Sequence, residues 1–280
     1  MIKEKAYAKI NLFLNVTAKR IDGFHDLEMV MAAIDLFDVL TFKLLKTKDI
    51  IIKSNVQITK EVRDNLVYKI AKGLQSDFDI DYGVEINITK NIPIAAGLAG
   101  GSADAAAALR GLNKLWKIGL SLDDLSMIGK NYGSDIPFCI YNKLCVARGK
   151  GEEIVFLDKK LRLPVLIINP NVRIQTADVF NLVKKEELLS KKISNMTSGI
   201  YNGNYNLIEN ELFNSLERYA FEIEPKISEI KNQIRNLGVN GVLMSGSGAT
   251  IFAISKDKKK LKRILEVFND LYFKKLTKIR

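Results

Sequence analysis

Histidine and cysteine are scarce in this sequence, which has one histidine and two cysteines among its 280 residues. So few ligands argue against a zinc site of the Cys/His type. His25 is also the only candidate base for a Ser-His-Asp triad, and no Gly-x-Ser-x-Gly motif accompanies it. We interpret Cys139 and Cys145 as small buried apolar residues and not as a disulfide framework.

Long apolar runs are also missing, since no run reaches the roughly 18 residues that would indicate a membrane-spanning helix. The first residues lead into an alternating segment and not into the apolar core of a signal peptide. Hydrophobic residues make up 47% of the chain and charged residues 27%, which excludes a disordered or collagen-like protein. We therefore expect a cytoplasmic globular protein with one large or two ordinary domains.

Basic residues are in excess, with 43 Lys and Arg against 32 Asp and Glu and a net charge of +11. Residues 256–280 carry 10 basic and 3 acidic residues, so +7 of that charge lies in one segment. An RNA-binding or membrane-surface-binding protein is therefore an alternative. The apolar residues of the segment recur every three or four positions, as on a buried helix face: Leu261, Ile264, Leu265, Phe268, Leu271 and Tyr272. We favour a terminal helix with solvated lysines, and expect neither a nucleic acid nor a membrane as partner.

Alternating apolar and polar residues predict a first strand over residues 6–16, with the even-numbered positions on one face. Lys9 and Asn11 share the other face. A second clean strand is predicted over residues 84–89, and a polar loop rich in Asn and Gly near residues 195–206. These elements suit an α+β protein.

The most unusual stretch is residues 93–104, which link a predicted strand to an alanine-rich helix. Gly97, Gly100 and Gly101 have no Cβ, so backbone N–H groups can approach an oxyanion there, and a helix N-terminus favours negative charge. The stretch is neither a Walker A loop nor a G-x-G-x-x-G fingerprint. We favour phosphate binding over a plain strand-to-helix turn, and predict Ser102 as the helix N-cap.

Other candidate residues are weak when taken singly. Residues 245–248, Ser-Gly-Ser-Gly, favour a tight hairpin turn. Asp135 precedes Pro137, a position where aspartate is usually a capping or turn residue. Lys9, taken alone, would be a solvated charge at a strand edge.

Three blocks, in this order, resemble the GHMP kinase superfamily. They are Ala-Lys-Ile-Asn-Leu at residues 8–12, the P-x-x-x-G-L-x-G-S loop with one extra glycine at residues 93–102, and Ser-Gly-Ser-Gly-Ala-Thr at residues 245–250. The resemblance covers nearly the whole length of the chain. A change in sequence texture near residue 155 separates the second block from the third.

Three further blocks resemble one branch of the superfamily, the 4-diphosphocytidyl-2-C-methyl-D-erythritol kinase family. They are Lys-Arg-Ile-Asp-Gly-Phe-His at residues 19–25, Asp-Asn-Leu at residues 64–66 and Gly-Ser-Asp-Ile-Pro at residues 133–137. Another GHMP small-molecule kinase is the alternative. The chain contains both Gly-Phe-His at residues 23–25 and a threonine followed four residues later by a phenylalanine, Thr176 and Phe180. This combination argues against another GHMP kinase, which would not require it.

The resemblance implies a two-lobed GHMP kinase fold of the α+β class. Residues 1–155 would form an N-terminal, ATP-binding α/β domain with a mixed sheet, and residues 156–280 a C-terminal ferredoxin-like α+β domain. The implied reaction is ATP-dependent phosphorylation of the 2-hydroxyl of 4-(cytidine 5'-diphospho)-2-C-methyl-D-erythritol, giving the 2-phosphate and ADP in the non-mevalonate (MEP) pathway of isoprenoid biosynthesis. ATP and Mg²⁺ are expected with it, in a monomer or weak homodimer.

The resemblance also implies roles for individual residues. Asp135 would accept or orient the hydroxyl proton, and Lys9 would lower the pKa of that hydroxyl and keep Asp135 ionised. Ser102 is a candidate Mg²⁺ ligand. The implied ATP-binding residues are Asn65, Lys90, Pro93, Ile94, Ala95, Ala96, Gly97, Leu98, Ala99, Gly100, Gly101, Ser102 and Ala103. Because alanine avoids positive φ, we expect ordinary dihedral angles at Ala99.

For the cytidine group, the resemblance implies that Phe24 and Phe180 enclose the cytosine ring and that His25 binds its polar edge. The implied substrate-binding residues are Asn11, Phe24, His25, Thr176, Phe180, Gly246 and Ser247. Without the resemblance, the two phenylalanines would be interpreted as core residues and His25 as part of a surface turn.

Overall fold

The computed structural model describes residues 1–184 and 191–280. The strands are β1 (Ile2–Lys19), β2 (His25–Leu45), β3 (Ile50–Ser54), β4 (Gly83–Thr89), β5 (Cys145–Arg148), β6 (Glu153–Phe156), β7 (Pro164–Asn169), β8 (Phe213–Asn214), β9 (Val242–Met244), β10 (Ile251–Ile254) and β11 (Phe273–Lys278). The helices are α1 (Leu66–Asp77), α2 (Gly100–Leu115), α3 (Leu122–Lys130), α4 (Ile136–Tyr141), α5 (Thr176–Asn181), α6 (Ile193–Tyr201), α7 (Tyr205–Asn210), α8 (Glu217–Ile223), α9 (Pro225–Asn236) and α10 (Lys258–Val267). Among the described residues, none of the helices has the length and apolar character needed to cross a membrane.

These elements form two compact units. The first unit comprises Met1–Ala8, Leu36–Ile94 and Ala99–Asn142, and the second comprises Lys9–Asp35, Ala95–Leu98 and Lys143–Arg280. Each unit is assembled from separate segments, whereas the domains predicted from the sequence are continuous. The boundary at residue 155 therefore stays a prediction.

A mixed sheet lies in the first unit. Strand β4 pairs in parallel with β3, from Ile50 opposite Val84, and antiparallel with β2, from Val39 opposite Thr89. Helix α2 contacts α1, α3 and α4, and its run of buried small residues, 103–108, allows this close packing. The strand predicted over residues 84–89 is confirmed.

The second unit contains a four-stranded antiparallel sheet in the order β11-β7-β10-β9. Helix α9 precedes β9 and contacts β9 and β10, and α10 lies between β10 and β11 in the chain and contacts β7 and β11. This βαββαβ arrangement is the ferredoxin-like one. In the same unit, β1 pairs in parallel with β8, and β2 pairs with β5, which pairs with β6. The α+β fold prediction is confirmed.

Strand β1 confirms the period-two prediction. Its even-numbered apolar side chains, from Ala6 to Val16, are buried. The other face is also buried at Lys9, Asn11 and Phe13. The interpretation of Lys9 as a solvated edge charge is therefore wrong.

The polar loop predicted near residues 195–206 is wrong, because α6 and α7 occupy most of it. Ile193, Met196 and Ile200 recur at three- and four-residue spacing and are buried on one face of α6. Because many polar residues lie between these three, the helical spacing is difficult to recognise from the sequence.

The terminal helix ends earlier than its apolar spacing predicts. Helix α10 stops at Val267, and Leu271 is 77% exposed. The backbone is extended at Phe268, and Asn269 accepts a hydrogen bond from Leu271 N, so the chain turns into β11. The basic residues of the segment are therefore divided between a helix and an antiparallel strand.

Candidate active site

Three motif blocks that are distant in the sequence meet in the second unit, around Gly97. Lys9 N donates to Leu98 O at 3.1 Å, and Ser245 Oγ donates to Gly97 O at 2.9 Å. Gly97 has a φ of 71°, and a Cβ there would lie 2.1 Å from Ser245 O. Both the backbone conformation and the close approach therefore require glycine at this position.

The Lys9 ammonium is fixed inside this cluster. It donates to Asn11 Oδ1 at 2.7 Å, and Asn11 Nδ2 lies 3.3 Å from Met29 Sδ. Lys9 is 5% exposed, and a Cβ at Gly246 would lie 3.5 Å from its Nζ. The period of β1 thus places a buried cation beside the turn of residues 245–248.

The turn of residues 245–248 is a tight hairpin, as predicted, with a hydrogen bond of 2.9 Å from Ser245 N to Thr250 O. Asn214 supports it from β8. Its Nδ2 donates to Met244 O at 2.9 Å and to Gly246 O at 2.8 Å. Sequence reasoning missed Asn214, because nothing near it in the chain marks it as a partner of this turn.

Glu217 holds the strand that enters the turn. Its Oε1 accepts from Met244 N at 2.9 Å, and its Oε2 accepts from Lys231 Nζ at 2.5 Å. Burial lowers the pKa of the Lys231 ammonium, and the charge of Glu217 opposes that effect. Both side chains line a cavity of about 510 Å³.

The residues predicted to bind cytidine also lie in the second unit. The rings of His25 and Phe180 pack with centroids 5.1 Å apart and an interplanar angle of 34°. Thr176 Oγ1 and Ser247 Oγ share a hydrogen bond of 2.9 Å. Phe24 is 56% exposed, with Lys150 Nζ 4.7 Å from its ring centroid, so its interpretation as a core residue is wrong.

His25 is 6% exposed, so its interpretation as part of a surface turn is also wrong. Burial lowers the pKa of its imidazole from the ordinary value of 6.5, and the nearby charge of Lys19 adds to the effect. The ring is therefore neutral at neutral pH. Within the described part of the chain, Nε2 is buried and has no hydrogen-bond partner. Such a nitrogen is suited to the polar edge of a ligand.

In the first unit, the glycine-rich stretch enters α2 through Ala99. Ala99 is the N-cap and has φ and ψ of 55° and 32°, so the expectation of ordinary dihedral angles is wrong. Ser102 lies within the first turn of α2, so its prediction as the N-cap is also wrong. The helix starts earlier because Gly100 and Gly101 both adopt helical geometry. The backbone bends sharply before Gly100, and alanine makes that bend at a cost of about 1–2 kcal/mol.

Asn65 caps α1, since its Oδ1 accepts from Val67 N at 2.9 Å. It also lines a cavity of about 440 Å³ in the first unit. Other residues that line this cavity are Ile52, Ser54, Asn55, Val56, Gln57, Ile58, Thr59, Lys60 and Val62. The predicted ATP-binding residue therefore has a capping role and also faces a space that can receive a ligand.

Lys90 lies between two carboxylates, those of Asp38 and Asp104. Burial raises the pKa of the Asp104 carboxyl to about 7, and the charge of Lys90 opposes the rise. Sequence reasoning missed both carboxylates. A charged residue within the apolar run Leu36–Leu40 was the only available signal for Asp38.

Asp135 precedes α4 and is half-buried. It lies in a turn and at the N-cap position of α4, which agrees with its interpretation as a capping or turn residue, although its side chain makes no capping hydrogen bond to α4. Arg110 fixes the far end of α4, since its Nη1 donates to Cys139 O at 2.8 Å and its Nε to Glu4 Oε2 at 3.1 Å. The helix that follows Asp135 is therefore held by α2 and the start of β1.

Two family sequence models match this chain. The model described as GHMP kinases N terminal domain matches residues 65–143, and the model described as GHMP kinases C terminal matches residues 196–274. Both models describe the GHMP kinase class, in agreement with the βαββαβ sheet and the glycine-rich stretch.

Relatives narrow this class further. The 4-diphosphocytidyl-2-C-methyl-D-erythritol kinase of Bacillus mycoides (strain KBAB4) is 42% identical over 260 residues, which is 93% of this chain and 90% of that protein. A crystal structure of 4-(cytidine 5'-diphospho)-2C-methyl-D-erythritol kinase aligns with a TM-score of 0.85 and 29% identity over 99% of both chains. A homoserine kinase from Cytophaga hutchinsonii ATCC 33406 shares the fold, with a TM-score of 0.76 and 21% identity over 99% of this chain and 94% of its own. The chain belongs to the 4-diphosphocytidyl-2-C-methyl-D-erythritol kinase family of the GHMP kinases.

Replacing Ala99 with glycine tests the strained entry into α2. We expect Ala99→Gly to raise the free energy of unfolding by about 1 kcal/mol, because glycine accepts positive φ without a Cβ clash. Urea unfolding measures the change. Ala96→Gly is the matched control, since Ala96 is buried and lacks positive φ. The free energy of unfolding of this control should fall by about 0.5–1 kcal/mol. Equal losses from both variants would contradict the strain at Ala99.

Proposed function

We propose that this chain transfers the γ-phosphoryl group of ATP to the 2-hydroxyl of 4-(cytidine 5'-diphospho)-2-C-methyl-D-erythritol. The products would be the 2-phosphate and ADP, in the isoprenoid pathway named above. The observation that carries this choice within the GHMP kinases is the buried His25, packed against Phe180 with Nε2 unpartnered among the described residues. A ring pair with an unpartnered nitrogen can bind the face and the polar edge of a nucleobase, which supports a substrate that carries one.

The proposed phosphate site is the stretch of residues 93–103. Its glycines and the N-terminus of α2 offer backbone N–H groups and a favourable helix dipole for the phosphates. Asn65 and the cavity that it lines belong to the first unit, as does α2, and would receive the base of ATP. Phosphoryl transfer depends mainly on positioning and charge neutralisation, which a backbone cradle supplies.

Mg²⁺ is proposed to act with ATP, neutralising charge on the phosphates. Ser102, in the first turn of α2, offers a hydroxyl oxygen, a donor type that Mg²⁺ accepts. Within residues 1–184 and 191–280, no group of three or more His, Cys, Asp and Glu side chains could hold a metal by itself. These residues therefore fit an ion that takes most of its ligands from phosphates and water.

Asp135 is proposed to accept or orient the proton of the substrate hydroxyl. Its half-buried position at the start of α4, in the block Gly-Ser-Asp-Ile-Pro, supports this role. Lys9 is proposed to supply positive charge to the same oxygen and so lower its pKa. Its burial beside Asn11 and Gly246 supports this role, because a buried ammonium interacts more strongly with a charged ligand.

The cytosine ring is proposed to lie between Phe24 and Phe180, with its polar edge on His25. The exposed ring of Phe24 and the unpartnered Nε2 of His25 support this site. Thr176 and Ser247 hold one another by a hydrogen bond and would border it. Asn11 and Gly246 would contact the methylerythritol end beside Lys9. We expect a cytoplasmic enzyme for small-molecule substrates, acting as a monomer or weak homodimer.

A substrate panel tests the reaction. ADP release should be rapid with ATP, Mg²⁺ and the cytidyl compound. Free methylerythritol phosphate should lower kcat/KM by about 100-fold or more, because base stacking and edge hydrogen bonds are both lost. The uridine analogue should show a smaller loss, since only the edge contacts change. Full activity on homoserine or mevalonate would contradict the proposal.

Asp135→Asn separates chemistry from binding. We expect kcat to fall by about 10²–10⁴-fold, as for loss of a general base, while the Kd for ATP stays close to that of the parent. Steady-state kinetics and calorimetry measure the two quantities. Asp81→Asn, at a surface ion pair with 80% of the Asp81 side chain exposed, is the control and should change neither. An unchanged kcat for Asp135→Asn would contradict the proposed role of Asp135 in accepting or orienting the hydroxyl proton.

The lowered pKa of His25 predicts a pH dependence of substrate binding. Above its pKa the imidazole is neutral and keeps an acceptor nitrogen, and below it the imidazolium has none. We therefore expect KM for the cytidyl substrate to be constant above pH 7 and to rise as the pH falls through the lowered pKa of His25, towards a limit of about tenfold, the loss of roughly one hydrogen bond. His25→Gln should flatten this rise. An equal rise in both proteins would assign it to another group.

A further inference from the structure

Asp38 holds the residues that lead into the glycine-rich stretch. Its carboxylate is fully buried in β2, and Oδ1 accepts from the backbone of Asn91 and, at 2.8 Å, of Ile92. Its other oxygen, Oδ2, accepts from Lys90 Nζ. One side chain thus fixes three consecutive residues at the point where the chain leaves β4.

Lys90 carries this connection to the other end of the stretch. Its Nζ donates to Asp104 Oδ2 at 2.6 Å, and Asp104 lies on α2, just after the stretch ends. The side chains of Lys90, Asp38 and Asp104 are 5%, 0% and 3% exposed. A Cβ at Gly100 would lie 3.5 Å from Nζ, so the ammonium lies directly beneath the first residue of α2.

The backbone of Lys90 is also fixed, by Asn55. Lys90 N donates to Asn55 Oδ1 at 2.8 Å, and Asn55 Nδ2 donates to Lys90 O at 3.3 Å. Asn55 lines the cavity described above. Lys90 is therefore held by its main chain on one side and by two carboxylates on the other.

This commitment leaves Lys90 poorly placed to serve as a phosphate ligand. An ammonium that turned towards a phosphate would leave two buried carboxylates without their shared cation, and unpaired buried charges are strongly unfavourable. Buried ion pairs often add little stability compared with apolar residues of similar size. The value of the cluster therefore lies in the geometry that it imposes.

We propose that Lys90 is a positioning residue, which together with Asp38 and Asp104 fixes the two ends of the glycine-rich stretch. Lys90 acts on ATP only through the backbone that it holds in place. The cluster of Asp38, Lys90 and Asp104 sets the distance between the end of β4 and the start of α2, and with it the aim of the backbone N–H groups. This inference rests on the proposed role of the stretch in binding ATP.

A double-mutant cycle at Lys90 and Asp104 tests the inference. Lys90→Met and Asp104→Leu each break the link, so each should raise the Kd and KM for ATP by about tenfold or more, with KM for the second substrate within about twofold. The double variant replaces the pair of Lys90 and Asp104 with an apolar contact, while Asp38 keeps the backbone amides of Asn91 and Ile92 as partners. Its Kd for ATP should therefore recover in part and lie closer to that of the parent than the Kd of either single variant.

A direct phosphate ligand gives a different pattern. Asp104→Leu alone would then release Lys90 and leave ATP binding unchanged or tighter, and the double variant would keep the full defect of Lys90→Met. Either result would overturn the inference. If Lys90→Met fails to fold, comparison of Asp104→Leu with the double variant still separates the two cases. Urea unfolding of every variant reports stability.

Lys53→Met is the matched control, because Lys53 pairs with Glu85 on the exposed face of the same sheet and should leave ATP binding unchanged. Calorimetry with ATP also separates this inference from the proposed reaction. If the parent protein binds ATP but does not phosphorylate the cytidyl compound, only the proposed reaction is contradicted. The double-mutant cycle would then still decide the role of Lys90. A parent that does not bind ATP would overturn both.

Discussion

The close approach of Gly97 to the turn of residues 245–248 is the contact on which the site residues of the second unit depend. A side chain at position 97 would meet Ser245 O within 2.1 Å, so glycine sets how near the two segments can lie. The hydroxyl of Ser245 then closes the contact, and the neighbouring Leu98 O accepts from Lys9 N. Loss of this approach would also disturb Lys9, because its ammonium lies beside the same turn. The closest distance that residue 97 allows to Ser245 O thus determines where the three motif blocks lie relative to one another.

Two buried lysines lie in different surroundings, which suit different roles. Lys9 donates to Asn11 and lies beside the turn of residues 245–248, whereas Lys90 lies between the side chains of Asp38 on β2 and Asp104 on α2. The position of Lys9 suits the proposed action on substrate oxygen, and the pairing of Lys90 with two other elements suits a structural link. Burial alone does not distinguish the two lysines, and their positions do.

Local pattern was sufficient for part of this structure. Alternation predicted β1 and β4, and the motif blocks located Lys9, His25 and the glycine-rich stretch. Asp38 and Asn214 escaped, because their partners lie more than 25 residues away and no local period reports such pairings. Propensity gave the wrong answer at Ala99, where the bend into α2 overrides the preference of alanine. The apolar spacing past Val267 also misled, since residues that suit a helix face can equally suit a turn and a strand.

The hydrogen bonds of Asp38 change how the loop after β4 should be viewed dynamically. Backbone amides in loops usually open readily, because water is their main partner. The amides of Asn91 and Ile92 instead donate to a fully buried carboxylate, so they open only when the sheet around β2 opens. The segment free to adjust to a ligand therefore begins at Pro93. Asp38, on the neighbouring strand β2, thus limits how many residues of the loop can adjust to a ligand. The glycine content of the loop alone would suggest a longer adjustable segment.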